Sequence, residues 1–177
     1  MRKINLVTDS TSDLSPDLLK KHNITFYPLY VNFGEDSYRD IIDINIDTLY
    51  QKVEEYGMLP KTAAIAPGFF YDKFKEFNPD EDYIYIGIGS GFSINYTNVI
   101  SVASKFKNLY VIDSQNLSSG TGLLILKIAK LRDQGMSAKE IVKEIEKIVP
   151  LVSTRFAINT LDYLHKGGRC SGTARFI

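Results

Sequence analysis

The sequence has little cysteine and histidine, no tryptophan and no excess of charge of either sign. One cysteine, Cys170, excludes an internal disulfide, and the two histidines form no Cys/His cluster at metal-ligand spacing. Lysine plus arginine and aspartate plus glutamate both number 21, so no basic balance points to nucleic acid. No window reaches the roughly 18 apolar residues of a membrane span, and the N-terminus lacks the apolar core of a signal peptide. We therefore expect a cytoplasmic protein without a metal or other cofactor.

The residues that are present predict strands and helices in alternation. Continuous apolar runs predict buried strands at 4–7, 24–33, 83–86, 108–112 and 156–158. Cap signals and helical spacing predict helices at 16–22, 47–56, 69–77, 97–106, 122–133 and 138–148. This order predicts an α/β fold, with a largely parallel sheet and helices on both faces.

Residues 1–150 are predicted to form one α/β domain, and residues 151–177 the opening segment of an incomplete second domain. About 27 residues cannot bury enough apolar surface to fold alone. Apolar side chains left exposed there would favour self-association through this segment.

The loops after the predicted strands, at 8–13, 62–67, 87–93 and 113–119, meet at the ligand-binding edge of such a sheet. The loop GIGSGFSINY (87–96) gathers backbone N–H groups that favour an anion. One interpretation is a dinucleotide site, because Gly87, Gly89 and Gly91 follow a strand and Asp113 ends the next one. Phe92 stands where the third fingerprint glycine belongs, which counts against it.

Two further interpretations concern Ser93. The stretch GFSIN resembles a nucleophile elbow with Asn95 in place of the second glycine, and Asp113 or Asp162 and then His165 follow in the required order. Alternatively, the Ser93 hydroxyl and loop amides hold a carboxylate without any chemistry. Serine is also a favoured helix N-cap, so for Ser93 taken alone capping is the preferred interpretation.

Six stretches, in order along the chain, resemble the DegV family of bacterial fatty-acid-binding proteins. They are VTDSTSDL (7–14), PL with YRD (28–29, 38–40), LPKT (59–62), SGFS with Tyr96 (90–93), VIDS with SGTG (111–114, 119–122) and LDYLHKGGR (161–169). No single stretch is diagnostic, but six in one order are highly specific.

The resemblance implies a two-domain α/β protein that holds one long-chain fatty acid and has no catalytic centre. It implies that some members present the acid to a separate fatty acid kinase. It also implies that the hydroxyls of Thr62 and Ser93 bind the carboxylate. Further candidate ligand-binding residues are Ser10, Gly91, Asp113, Ser114 and Arg169. An Asx turn explains Asp9 and Ser10 nearly as well, and Asp113 and Ser114 have the alternative role of bracing the next loop.

The sequence departs from the family pattern beside both expected head-group residues. After Thr62 the family usually has serine and glutamine, where this chain has Ala63 and Ala64. After Ser93 it usually has glycine and threonine, where this chain has Ile94 and Asn95. Both changes are expected to remove polar groups or flexibility near the head group.

Overall fold

Four of the apolar runs form a parallel sheet in the computed structural model, which describes residues 2–168. The strands are β1 (Ile4–Asp9), β2 (Ile24–Tyr27), β6 (Asp82–Gly87) and β7 (Leu109–Asp113). Their order is β2-β1-β6-β7, and β1 pairs with both β2 and β6 in parallel. The chain therefore leaves β1 towards one edge for β2 and towards the other for β6 and β7.

Helices cover both faces of this sheet, as the sequence predicts. On one face Leu6, Ile84 and Ile112 pack in the apolar core with α5 (Ser119–Asp133) and α6 (Ala138–Ile148). On the other face α3 (Pro67–Lys75) brings Phe70 within 5.8 Å of the Tyr85 ring centroid. α4 (Asn95–Ala103) lies beside α3, and α1 (Pro16–Lys21) lies beside β2.

Local sequence explains where several helices begin. Ser15 caps α1 and Pro16 occupies its first turn, as predicted. Ser137 and Glu140 form a capping box at the start of α6, whose bounds match the prediction of 138–148. The predicted helix at 97–106 instead begins at Asn95 and ends at Ala103.

A second, smaller unit contains an antiparallel sheet of β3 (Tyr30–Phe33), β4 (Asp36–Arg39) and β5 (Lys61–Ala63), in the order β4-β3-β5. It also holds α2 (Ile46–Tyr56) and α7 (Asp162–Lys166). Phe33 is buried and stacks on Tyr56, with 5.0 Å between ring centroids. Short 3₁₀ turns at Ser10–Ser12 and Val149–Leu151 belong to the first unit.

The described chain groups into units of 2–29 with 64–154, and 30–63 with 155–168. The predicted boundary at residue 150 stays a prediction, although the segment 30–63 groups with the later residues. The single predicted strand at 24–33 was wrong, because the chain breaks at Pro28 into β2 and β3 of different sheets. The predicted loop at 62–67 begins within β5, which gains its pairing from β3.

The predicted strand at 156–158 was also wrong. Residues 152–160 have no regular strand pairing, and Phe156 and Ile158 are exposed. A short apolar run forms a strand only where a neighbouring strand can satisfy its backbone, and the described part of the chain places none beside it.

Candidate functional site

The carboxyl ends of β1 and β6 lie side by side where the chain changes direction across the parallel sheet. Ligands of open α/β sheets bind outside such a point. Asp9 ends β1 and Gly87 ends β6, and the loop 87–93 predicted as an anion site starts here. The described geometry thus puts that loop at the expected edge.

Asp9 is the centre of a buried hydrogen-bond network at this edge. Its side chain is fully buried, and its Oδ1 accepts bonds from the amide and hydroxyl of Thr11 at 3.1 and 2.5 Å. Its Oδ2 accepts from the Ile88 amide at 2.9 Å, the Tyr85 hydroxyl at 3.1 Å and the Asn95 side-chain amide at 3.0 Å. Every one of these partners donates, so the carboxylate fixes both the turn after β1 and the loop after β6.

Burial raises the pKa of Asp9, while the bonds from Thr11, Ile88 and Tyr85 oppose that rise. Burial, together with the negative charge of Asp9, raises the pKa of the Tyr85 phenol well above its ordinary value. Tyr85 is therefore neutral at physiological pH and serves as a fixed donor.

Gly87 and Gly89 allow close backbone packing. A Cβ at Gly87 would lie 2.1 Å from Asp9 Oδ2, and one at Gly89 would lie 2.7 Å from the Cα of Gln115. Packing within the protein thus explains why both positions are glycine, without a bound nucleotide. A Cβ at Gly91 would meet nothing within 4 Å, so Gly91 is exposed at an open position.

Asp113 braces the same loop from the end of β7. Its carboxylate accepts bonds from the Ser90 hydroxyl at 2.6 Å, the Ser90 amide at 3.0 Å and the Gln115 amide at 3.1 Å. The Gly89 amide also donates to the carbonyl of Asn116 at 2.8 Å. The loops after β6 and β7 are therefore joined by both side-chain and backbone bonds.

Ser93 lies half-buried just before α4, and Asn95 begins that helix. The Asn95 amide donates to Ser93 Oγ at 3.1 Å, so the hydroxyl oxygen accepts a bond from the first turn of α4. A hydroxyl that accepts still has its own proton to donate. The N-cap position of α4 is Ile94, which makes no side-chain cap bond, so Ser93 contacts the start of the helix from one residue before the cap. The carboxylate-binding interpretation of Ser93 stays a prediction.

Asn95 is the functional candidate that the sequence analysis missed. The Ile94–Asn95 replacement was expected to remove polar groups, but the Asn95 side chain is fully buried and bonded to Asp9, Tyr85 and the Ile65 amide. Its partners lie up to 86 positions away in sequence, so no local pattern signals this role.

The smaller unit contains Thr62, which lies exposed on β5 opposite Val31 of β3. A cavity of about 470 Å³ opens beside it within this unit. Apolar groups form much of its wall, namely Leu49, Tyr50, Val53, Leu59, Pro60 and Tyr163. Thr62, Lys61 and Lys166 contribute polar groups, and the volume falls within the usual range for small-molecule sites.

Of the remaining predicted site residues, the two that the structure describes are both buried. Ser10 is buried, and its hydroxyl accepts a bond from the Leu29 amide at 3.1 Å. Ser114 is buried, and its hydroxyl bonds to Asn116 and Thr121. Arg169 lies outside the described residues.

Across residues 2–168 no helix is long and apolar enough to cross a membrane. The same residues contain no group of three or more His, Cys, Asp or Glu side chains that could hold a metal ion.

Comparison with known sequences gives consistent matches. A family profile described as "Uncharacterised protein, DegV family" matches residues 3–177. A DegV domain-containing protein of Clostridium perfringens is 37% identical, over 100% of this chain and 65% of the relative. One from Clostridium acetobutylicum is 39% identical, over 98% of this chain and 63% of the relative. The chain thus spans 63–65% of the length of these relatives.

Solved structures agree with the sequence matches. A DegV family protein from Thermus thermophilus, described for its fatty acid binding, has a TM-score of 0.86 and 31% identity, over 100% of this chain and 64% of its own. DegV of Bacillus subtilis, described as a fatty acid binding protein, has a TM-score of 0.85 and 30% identity, over 96% and 61%. A stearic acid-binding protein from Eubacterium ventriosum has a TM-score of 0.80 and 30% identity, over 98% and 63%. With a profile match over nearly its whole length and an α/β fold shared with these proteins, this chain belongs to the DegV family.

Proposed function

We propose that this chain is a cytoplasmic carrier that binds a long-chain fatty acid, with the carboxylate held by the hydroxyls of Ser93 and Thr62 and by loop amides. The observation that carries the proposal is the state of Ser93. Its oxygen accepts the Asn95 amide, and its proton is left to donate to a ligand. A donor hydroxyl on a loop bonded to Asp9 and Asp113 suits a carboxylate, which only accepts hydrogen bonds.

The network beneath Ser93 supports this role. Asp9 and Asp113 bind the loop from both sides through the Ile88 amide and through Ser90. In the proposal Ser10, Asp113 and Ser114 hold the loops, Gly91 leaves open space above them, and Ser93 makes the ligand contact. Arg169 is kept as a further candidate for the carboxylate.

The cavity of the smaller unit supports binding of an apolar ligand. Thr62 lies in its wall among aliphatic and aromatic groups, and its volume of about 470 Å³ is ample for part of an acyl chain. Each CH₂ removed from water contributes about 0.8 kcal/mol, so even a partly enclosed tail stabilises the complex. The three similar solved structures are described as binding fatty acids, which supports a fatty acid as the ligand of this chain.

The proposal assigns the chain no catalytic centre. The carboxylate of Asp113, one of the two candidate acids for orienting a base, is engaged by Ser90 and Gln115. A carrier delivers its ligand, and the family resemblance supports a separate fatty acid kinase as recipient. Self-association through the segment 151–177 is included in the proposal because Leu151 and Phe156 are 80% and 66% exposed. Light scattering tests it, and a strictly monomeric protein contradicts that part.

Calorimetric titration with palmitic acid tests the site. Ser93→Ala and Thr62→Val should each weaken binding about tenfold, as expected for losing one hydrogen bond to a charged group. Ser101→Ala on α4 and Thr25→Val on β2 remove matched hydroxyls from exposed positions and should leave the affinity unchanged. Unchanged affinity in Ser93→Ala, with only reduced thermal stability, would show that Ser93 is a helix cap and nothing more.

A further inference from the structure

Asn95 connects three separate parts of the larger unit through one buried side chain. Its Oδ1 accepts a bond from the Ile65 amide at 3.1 Å. Its Nδ2 donates to Asp9 Oδ2 and to the Tyr85 hydroxyl, both at 3.0 Å. Both N–H groups of the side-chain amide are therefore used. Its Oδ1 accepts from the Ile65 amide, which has no other acceptor in β5 or α3.

The backbone of Asn95 reaches the proposed head-group residue. Its backbone amide donates to Ser93 Oγ at 3.1 Å, and this bond helps to position the Ser93 side chain. The side chain of the same residue is held by Asp9, and Asp9 in turn accepts the Ile88 amide of the same loop. The position of Ser93 thus depends on a closed set of bonds in which Asn95 takes part twice.

We infer that Asn95 is a positioning residue that sets the preference of the site for a charged head group over a neutral one. The inference rests on the proposed function, because it assumes that Ser93 meets the head group. Asn95 does not touch the ligand in this account. It acts by holding the Ser93 hydroxyl and the loop amides in one orientation.

The reason for a charge preference is physical. Hydrogen bonds to a carboxylate are roughly twice as strong as those to a neutral oxygen, and they depend more on donors that are already oriented. Loss of orientation therefore weakens binding of an acid far more than binding of the alcohol of the same chain length. General damage to the fold would weaken both ligands alike.

Asn98 offers a control matched in residue type, in helix and in partner segment. Its Nδ2 donates to the carbonyl of Ile65 at 2.9 Å, on the other side of the residue that Asn95 holds. It makes no bond to Asp9 or Ser93 among the described residues. Asn98→Ala therefore loosens Ile65 without breaking the link between Asp9 and Ser93.

The experiment measures the affinities of the full chain for palmitic acid and for 1-hexadecanol. In Asn95→Ala, palmitic acid should bind about tenfold more weakly, while 1-hexadecanol should change by less than about twofold. Asn98→Ala should keep the acid-to-alcohol ratio of the wild type. An Asn95→Ala protein that keeps the wild-type ratio, or that weakens both ligands equally, overturns the inference and leaves the proposed function standing.

A wild type that binds neither ligand overturns the proposed function, and this inference with it. If Asn95→Ala does not fold, Asn95→Ser decides by the same ratio, since serine keeps a polar atom in the buried site but is too short to bridge Ile65 and Asp9. Amide exchange gives a second readout in either variant. The Ile65 amide should lose protection in Asn95→Ser and keep it in Asn98→Ala, and the reverse pattern contradicts the assignment.

Discussion

The hydroxyl of Ser90 donates to one carboxylate oxygen of Asp113 over 2.6 Å, while the Ser90 amide donates to the other oxygen over 3.0 Å. One acidic side chain at the end of β7 thereby holds both polar groups of a residue in the loop after β6. The loop that carries Ser93 is therefore held by hydrogen bonds from the neighbouring strand as well as by bonds within the loop.

Removal of the Asp113 carboxylate should loosen the loop after β6 without unfolding the protein. Asp113→Ala loses three hydrogen bonds near the surface, so we expect a loss of about 1–2 kcal/mol in the free energy of unfolding. Hydrogen exchange should speed up over residues 88–93 and palmitic acid should bind several-fold more weakly. Asp133→Ala, which breaks only an ion pair with Arg132, should change neither quantity. Unchanged exchange over 88–93 in Asp113→Ala would contradict the bracing role.

Gly87 at the end of β6 and Gly91 in the following loop should respond differently to alanine. Gly87→Ala puts a Cβ 2.1 Å from Asp9 Oδ2 and 2.7 Å from the Tyr85 hydroxyl, so the buried network has to move. We expect a loss of about 2 kcal/mol or more in urea unfolding. Gly91→Ala meets nothing and should stay within about 0.5 kcal/mol of the wild type. Equal effects at the two positions would show that Asp9 does not pack against Gly87.

Asp9 should make stability depend on pH in a defined direction. Burial raises its pKa in the folded protein, so the folded state binds this proton more tightly than the unfolded chain does. The contribution of Asp9 to the free energy of unfolding is then greatest below 3.8, the ordinary aspartate pKa, and falls as the pH rises through the raised value.

Comparison with Asp9→Asn, which lacks this titration, isolates the effect. The stability of the wild type minus that of the variant should decrease as the pH rises from 3.8 and then level off above the folded pKa. Tyr85 does not interfere, because its own pKa is raised and it stays neutral throughout. A difference that grows with pH would mean that the five donors around Asp9 outweigh its burial and lower its pKa.

The chain should not hydrolyse acyl esters. Asp113 is engaged by Ser90 and Gln115, and Ser93 Oγ accepts the Asn95 amide. We expect no turnover of p-nitrophenyl butyrate above the buffer rate, with the wild type and Ser93→Ala indistinguishable. Turnover that disappears in Ser93→Ala would establish a serine nucleophile and contradict the carrier proposal.

The elements that the sequence predicts well are those with local causes. The capping box of Ser137 and Glu140 marks the start of α6, and Ser15 with Pro16 marks that of α1. The buried strands β1, β6 and β7 follow from continuous apolar runs, so the parallel sheet and its ligand edge are predictable.

The elements that were missed depend on distant partners. The strand β5 exists because β3 is available to pair with it, and the composition of Lys61–Ala63 carries no sign of that. In sequence, Asn95 only marks a position where the family usually has threonine. Its role depends on Asp9 and Ile65, which lie 86 and 30 positions away. Thr62 and Ser93 were chosen through family resemblance and remain predictions about a ligand.

The central claim is that this chain holds a long-chain fatty acid, and native mass spectrometry of the purified protein tests it most directly. The account predicts a species heavier than the 177-residue chain by the mass of one long-chain fatty acid, released as a free acid on activation. Added palmitic acid should increase that species in the wild type and much less in Ser93→Ala. A protein that carries no fatty acid and takes up none, or one that carries a nucleotide instead, would contradict the account.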